Sequence, residues 1–207
     1  TYKRDASTSY YDCTNYYFEI EYDDEDLVDE NNKIIKKGLR KRGPEKNNRK
    51  DPIVEMGLLL DKQGFPISYN LFSGNTSEKE TLVPELKKIK KRHSIDKVIV
   101  VADRGLNCSD NMIKTAGIDL DKKNRDGYVY GQSIRGADKE FKEWVLKEDD
   151  YIVDTIIDED GNEVIFKHKS RVYPKKMTIT RDDLGLTRGG NKRKQTIIVD
   201  QKQMVYY

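Results

Sequence analysis

The sequence predicts an α/β protein, a mixed five-stranded sheet with flanking helices over residues 1–135, followed by a β-rich subdomain over residues 136–207. Three observations carry this expectation. Residues 98–105, VIVVADRG, set four β-branched residues ahead of an acid, a base and a glycine, as in a strand that is buried on both faces and emerges at its carboxyl end. Upstream, PIVEMGLLLD and FPISYNLF meet at DKQG and read as a hairpin over residues 52–72. Between the two, Leu82, Val83, Leu86 and Ile89 recur at helical spacing among lysines.

Composition bounds the rest. A chain of 207 residues can bury a sizeable core, and although 37% of it is charged, its apolar residues gather into runs. The net charge of +2 conceals segregation: residues 19–30 hold eight acids and no base, residues 33–50 nine bases and one acid, and residues 167–202 eleven bases and three acids. Basic segments of this kind are candidate phosphate contacts, or simply solvated faces. Cys13 and Cys108 form neither a zinc spacing nor a disulfide framework, which suits a reducing cytoplasm. No run approaches the roughly 18 apolar residues of a membrane span, so no membrane partner is expected. The first residue, Thr1, is not Met, and the chain is expected to be a piece of a longer protein.

The elements follow in order. YYDCTNYYFEIEY (10–22), rich in aromatic and β-branched residues, reads as a first strand with Asp12 near its start. The acidic and basic blocks after it read as a long mobile loop, and the hairpin supplies the second and third strands. In SGNTSEKETLVPEL, Gly74 and Asn75 make a turn, and a helix begins either at Ser77, with Glu80 at capping-box spacing, or at Thr81; Pro84 favours the later start, because proline is tolerated only in the first turn. Lys97–Ala102 is the fourth strand, Ser109 caps a short helix with Met112, Ile113 and Ala116 inward, and GYVYGQSI is the fifth strand. Beyond Gly136 a helix carries Phe141, Trp144, Val145 and Leu146, residues 150–173 form a hairpin turning at Asp160, Gly161 and Asn162, and KQTIIVDQKQMVYY adds a last strand or edge. The intervening RDDLGLTRGGNKRK is too rich in glycine and charge to pack.

Three antiparallel strands, a helix, a fourth strand beside the first, a helix and a fifth strand is the order of an RNase H-like fold. It brings Asp12 on the first strand toward Asp103 at the end of the fourth. Two adjacent carboxylates repel unless a cation lies between them, and Mg²⁺ suits one or two carboxylates completed by waters and phosphate oxygens. The bland alternative is that Asp103 caps a turn.

YYDCTNYYFE, GLLLDKQGFPISYNLFSGNTSEKETLVPEL and VIVVADRG together resemble the DDE transposases of bacterial insertion sequences, in the group with a β-rich insertion before the third acid. The resemblance runs from about Tyr10 to Tyr207. It implies that Asp12 and Asp103 are catalytic and hold Mg²⁺, with Mn²⁺ as substitute. It implies nicking at transposon ends and transfer of the freed 3′-hydroxyl to target DNA, on double-stranded DNA partners, by a homodimer, at the nucleoid. The family's third acid, a Glu in a Tyr-x2-Arg-x3-Glu-x6-Lys helix, has no match here, and Glu163 and Asp200 stand in the wrong context, so that ligand is expected beyond Tyr207 and the fragment alone is expected to be inactive.

Secondary candidates are Arg104, for a scissile phosphate or a salt bridge, and Arg188, Lys192, Arg193 and Lys194, for the DNA backbone. Asn75 and Thr76 could line the same sheet edge, Trp144 could stack on an unpaired base or pack in a core, and His93 and His168 read as ordinary surface or packing residues. Another RNase H-like nuclease, or a DNA-binding remnant that does not cut, are the alternatives; the β-rich tail argues against the first and the missing Glu sustains the second.

Overall fold

The computed structural model describes residues 5–44, 50–95, 97–116, 126–180 and 185–206. Residues 45–49 of the basic block and 181–184 of the glycine-rich loop, with the side chain of His93, lie outside the described residues. The chain divides into two compact units, Thr1–Gly131 and Gln132–Tyr207.

In the first unit, β1 (Thr8–Tyr17), β4 (Ile53–Leu60), β5 (Pro66–Ser73), β6 (Ile99–Ala102) and β7 (Gly127–Tyr130) form a mixed five-stranded sheet in the order β5-β4-β1-β6-β7. The pairs β1–β4 and β4–β5 are antiparallel, and β1–β6 and β6–β7 parallel. The hairpin forms because Asp61 accepts from the Gln63 and Phe65 amides with one carboxylate oxygen while Gly64 takes φ +82°, a conformation that side chains resist. β1 ends five residues before the predicted Tyr22, and Asp12 lies at its middle rather than near its start.

Period-two alternation sets one sheet face against the helices. Tyr11, Cys13, Leu59, Val98 and Val100 meet Leu82, Leu86 and Ile89 of α1 (Glu78–His93) and Leu106 in one core. The other face is open: Tyr10, Tyr69, Leu71, Ile99 and Val129 are 41–62% exposed. VIVVADRG is therefore buried on one face only, a correction to the sequence reading, because α1 adds its apolar stripe to the core cluster on one side of the sheet, with α2 (Ser109–Ala116) following in the chain.

α1 also departs from expectation. It begins at Glu78, with Ser77 as N-cap but without a side-chain capping bond, and Pro84 lies inside it. Burial of Leu82, Leu86 and Ile89 outweighs the hydrogen bond that Pro84 forfeits, and Thr81, taken as a possible start, is an interior residue whose hydroxyl donates to the Glu78 carbonyl at 2.7 Å. In α2, Ser109 is already helical and Met112 and Ile113 are buried.

The expected mobile loop is ordered by its own charges. Asp24, Asp26 and Asp23 of the acidic block meet Arg40, Lys41 and Arg42 of the basic block at 2.6, 2.9 and 3.1 Å, around a two-stranded sheet of β2 (Leu27–Val28) and β3 (Ile34–Lys36). The two blocks carry opposite charge and their neutralisation is mutual.

In the second unit, β8 (Ile152–Ile157), β9 (Glu163–Thr180) and β10 (Lys194–Tyr206) form an antiparallel sheet in the order β10-β9-β8. Phe141 and Val145 of α3 (Lys139–Leu146) are buried, as are Met177 and Ile179 of β9, whereas Leu146 is exposed. The Asp138 carboxylate caps α3 by accepting from the Phe141 amide at 2.8 Å.

Candidate active site

Register places the two predicted acids. β1 and β6 pair in parallel from Thr8 with Ile99 to Tyr11 with Ala102, and Asp12 and Asp103 are the residues that follow the last pair. Neighbouring strands lie about 4.8 Å apart. Both acids are exposed, and Asp12 faces away from the buried Tyr11 and Cys13.

Asp103 has a second task. Its Oδ1 accepts from the Gly105 amide at 2.8 Å and caps the 3-10 turn Arg104–Leu106, the role that the bland reading assigned to it. The turn is clipped to the end of β7, where the Asn107 side chain donates to the Gly131 carbonyl at 2.7 Å, and a Cβ on Gly131 would come 3.1 Å from the Arg104 amide nitrogen. Glycine at 131 lets the two backbones approach.

A third carboxylate comes close to Asp103. The point where a Cβ on Gly105 would stand is 2.6 Å from Glu78 Oε2 and 3.1 Å from Asp103 Oδ1, so a glycine keeps room between the two acids. Glu78 is absent from the sequence-predicted set. The signal that could have found it is its place as the first helical residue after the GNTS turn, beside the end of the hairpin. Asn75 belongs to that turn, where the Ser73 hydroxyl donates to its Oδ1 at 2.9 Å and the Thr76 amide donates to the Ser73 carbonyl at 2.8 Å.

Arg104 is exposed, and its guanidinium has no ion-pair partner among the described residues, so the alternative of a salt bridge is not seen there. The donor set at this edge is hard carboxylate oxygen, which fits a divalent oxygen-seeking ion such as Mg²⁺. Among the described residues no group of three or more His, Cys, Asp or Glu side chains is arranged to hold a metal.

The predicted DNA-backbone residues belong to the second unit. Residues 185–193 fold into a tight tip, with Gly185 and Gly190 at φ +71° and +76°, the Gly190 amide bonded to Thr187 and the Arg193 amide to Gly185. This segment was expected not to pack. Its glycines permit the positive φ values that close it. The Arg193 guanidinium is committed to the Leu186 carbonyl at 3.3 Å, while Arg188 and Lys194 are exposed. His168, read as an ordinary surface or packing residue, pairs with Asp154 at 2.7 Å across β8 and β9.

Trp144 is engaged by cations. Lys169 Nζ lies 4.0 Å from the Tyr151 ring centroid and 5.3 Å from that of Trp144, and the Arg171 guanidinium lies 4.5 Å from both Trp144 and Tyr173. Lys169 is only 3% exposed, and burial holds its ammonium below the ordinary lysine pKa.

No family model, curated protein or solved structure matches the chain. No helix among the described residues is long and apolar enough to cross a membrane.

Proposed function

We propose that the first unit is an RNase H-like catalytic core of a DDE transposase, which cuts DNA strands and transfers their 3′ ends with Mg²⁺ or Mn²⁺. The observation that supports the reading is the β1–β6 register, whose last pair, Tyr11 with Ala102, immediately precedes Asp12 and Asp103. The sheet order, with one antiparallel strand pair on each side of β4 and parallel pairing beyond β1, supports the same reading.

In this proposal Asp12 and Asp103 would hold the ion, which would supply Lewis-acid activation of an attacking oxygen and neutralisation of phosphate charge. The turn bond from Asp103 to Gly105 orients the carboxylate, and the 3-10 turn presents Arg104 to a phosphate oxygen. Arg188, Lys192 and Lys194 of the second unit add sequence-independent backbone contacts to double-stranded DNA, and a pair of protomers joins two DNA ends.

The test, made on the longer protein of which the chain is expected to be a piece, is nicking of a plasmid that carries the element's inverted repeats, in Mg²⁺ or Mn²⁺. Asp12→Asn and Asp103→Asn are each expected to abolish it while leaving duplex binding unchanged within about twofold. Nicking by either variant at the parent rate removes that residue from the mechanism. A second reading, a protein that binds DNA without cutting, is favoured by the capping role of Asp103 and by the two-acid site. Mn²⁺ binding that is indifferent to both Asp residues would select it.

A further inference from the structure

β10 is the longest edge strand among the described residues. It pairs with β9 from Lys194 with Thr180 to Tyr206 with His168 without a bulge, and no strand lies on its other side among the described residues. Such an edge presents alternate amides and carbonyls as a template for another strand. The edge of the first sheet is treated differently: on β5, Lys88 Nζ donates to the Tyr69 carbonyl at 2.9 Å, and the Leu71 amide donates to the Asn70 side chain at 3.1 Å.

The β10 edge is complementary to itself. Residues 197–205 read IIVDQKQMV, apolar at both ends, with an acid one residue before Gln201 and a base one residue after it. Laid antiparallel on a second copy with Gln201 opposite Gln201, the strand sets Asp200 opposite Lys202 twice, Ile198 opposite Met204 twice and Ile197 opposite Val205 twice. Asp200 and Lys202 are exposed and form no ion pair among the described residues. Moving the centre to either neighbour sets Asp200 against Asp200 or Lys202 against Lys202, and like charges directly opposite are unfavourable. Charge therefore selects one register.

The faces agree as well. Gln203 accepts from Arg171 Nε at 2.8 Å, and the Arg171 guanidinium lies 4.5 Å from the Trp144 ring, so the odd-numbered residues of β10 share the α3 side of the sheet. The even-numbered residues lie on the open side, where Ile198, Met204 and Tyr206 are 58–73% exposed. A two-fold axis normal to the sheet carries each face onto itself, so every opposed pair shares a face and the apolar stripe continues across the join.

We propose that β10 pairs antiparallel with β10 of a second copy of this chain, centred on Gln201, and joins two three-stranded sheets into one. Main-chain hydrogen bonds supply the attraction of strand addition, and the two Asp200–Lys202 pairs fix the register. The association uses neither DNA nor metal and does not rest on the proposed function.

The test is sedimentation velocity of the 207-residue chain over about 1 µM to 1 mM, the range in which a small transient interface dissociates. The parent should pass from monomer to dimer. Asp200→Lys and Lys202→Asp each convert both opposed pairs to like charge and should weaken the dimer by roughly 4- to 700-fold. An equimolar mixture of the two variants restores opposite charge in both pairs and should dimerise as the parent does, which a folding defect in either would prevent. Register is read by oxidation in a Cys108→Ser background, in which the remaining Cys13 is buried. Opposed Cα atoms of an antiparallel pair lie about 4.5–5.5 Å apart, within disulfide reach, so Gln201→Cys should cross-link to itself, and Ile197→Cys only to Val205→Cys.

A parent that stays monomeric, charge variants that associate like the parent, a mixture that fails to dimerise, or Gln201→Cys without a cross-link would each overturn the proposal. Because the assay is free of DNA and divalent metal, its failure leaves the reading of Asp12 and Asp103 standing, and failure of nicking leaves the β10 pairing standing.

Discussion

Asp103 carries two roles that a pair of substitutions separates. Its Oδ1 bond to the Gly105 amide, 2.8 Å long, is an N-cap, and asparagine caps about as well as aspartate because it keeps the acceptor oxygen. Asp103→Ala loses the cap and should cost about 1 kcal/mol, which in a protein of this size lowers the melting temperature by roughly 2–4 °C. Asp103→Asn should stay within about 0.5 kcal/mol of the parent. Divalent binding should respond differently. Two unit charges 4 Å apart at an effective permittivity of 20 interact by about 4 kcal/mol, and each 1.4 kcal/mol is tenfold, so loss of the carboxylate charge should weaken Mn²⁺ by more than about 100-fold in both variants. Thermal unfolding followed by circular dichroism gives the first quantity, and electron paramagnetic resonance of free Mn²⁺ the second. If Asp103→Asn binds Mn²⁺ like the parent and only Asp103→Ala differs, through stability, then the residue is a cap and the metal reading is wrong.

Three further outcomes are expected. Gly57→Ala should destabilise the first unit by about 1–3 kcal/mol, because its Cβ would stand 2.0 Å from the Tyr11 hydroxyl oxygen, and Tyr11→Phe should recover part of the loss in denaturant titration; additive losses would refute the clash. Ile89→Ala, at a fully buried position of α1, should cost about 2–5 kcal/mol by the same measurement, and a cost below about 1 kcal/mol would place Ile89 outside the core. Hydrogen bonds to Arg40 hold the Asp24 carboxyl below the usual range, and the Gly38 amide does the same for Asp26. Since both pKa values are depressed on folding, their stabilisation is present above the unfolded value near 4 and is lost as pH falls through the lower folded values. Hydrogen-exchange protection of the Gly38 and Arg40 amides, bonded to Asp26 and Asp24 at 2.9 Å, should therefore collapse as pH falls below the ordinary carboxylate range while the core strands persist, and unchanged protection would refute the charge-zipped arm.

What the sequence determined by itself was local. The hairpin could be read because Asp61 and Gly64 encode its turn within four residues, β1 because its aromatic residues alternate, and the apolar stripe of α1 because Leu82, Leu86 and Ile89 repeat at helical spacing. The strand order then placed Asp12 near Asp103 as an expectation. Tertiary structure decided what depends on distant partners. Arg40 finds Asp24 sixteen residues away, which turns an expected mobile loop into an ordered arm, and helix packing retains Pro84 where propensity alone ends the helix. Glu78 enters the neighbourhood of Asp103 only because Gly105 leaves space for it, and Trp144 is claimed by Arg171 from a strand 27 residues on. Periodicity and turn chemistry are written over a few residues, whereas charge pairing and close approach follow from which elements the whole fold brings together.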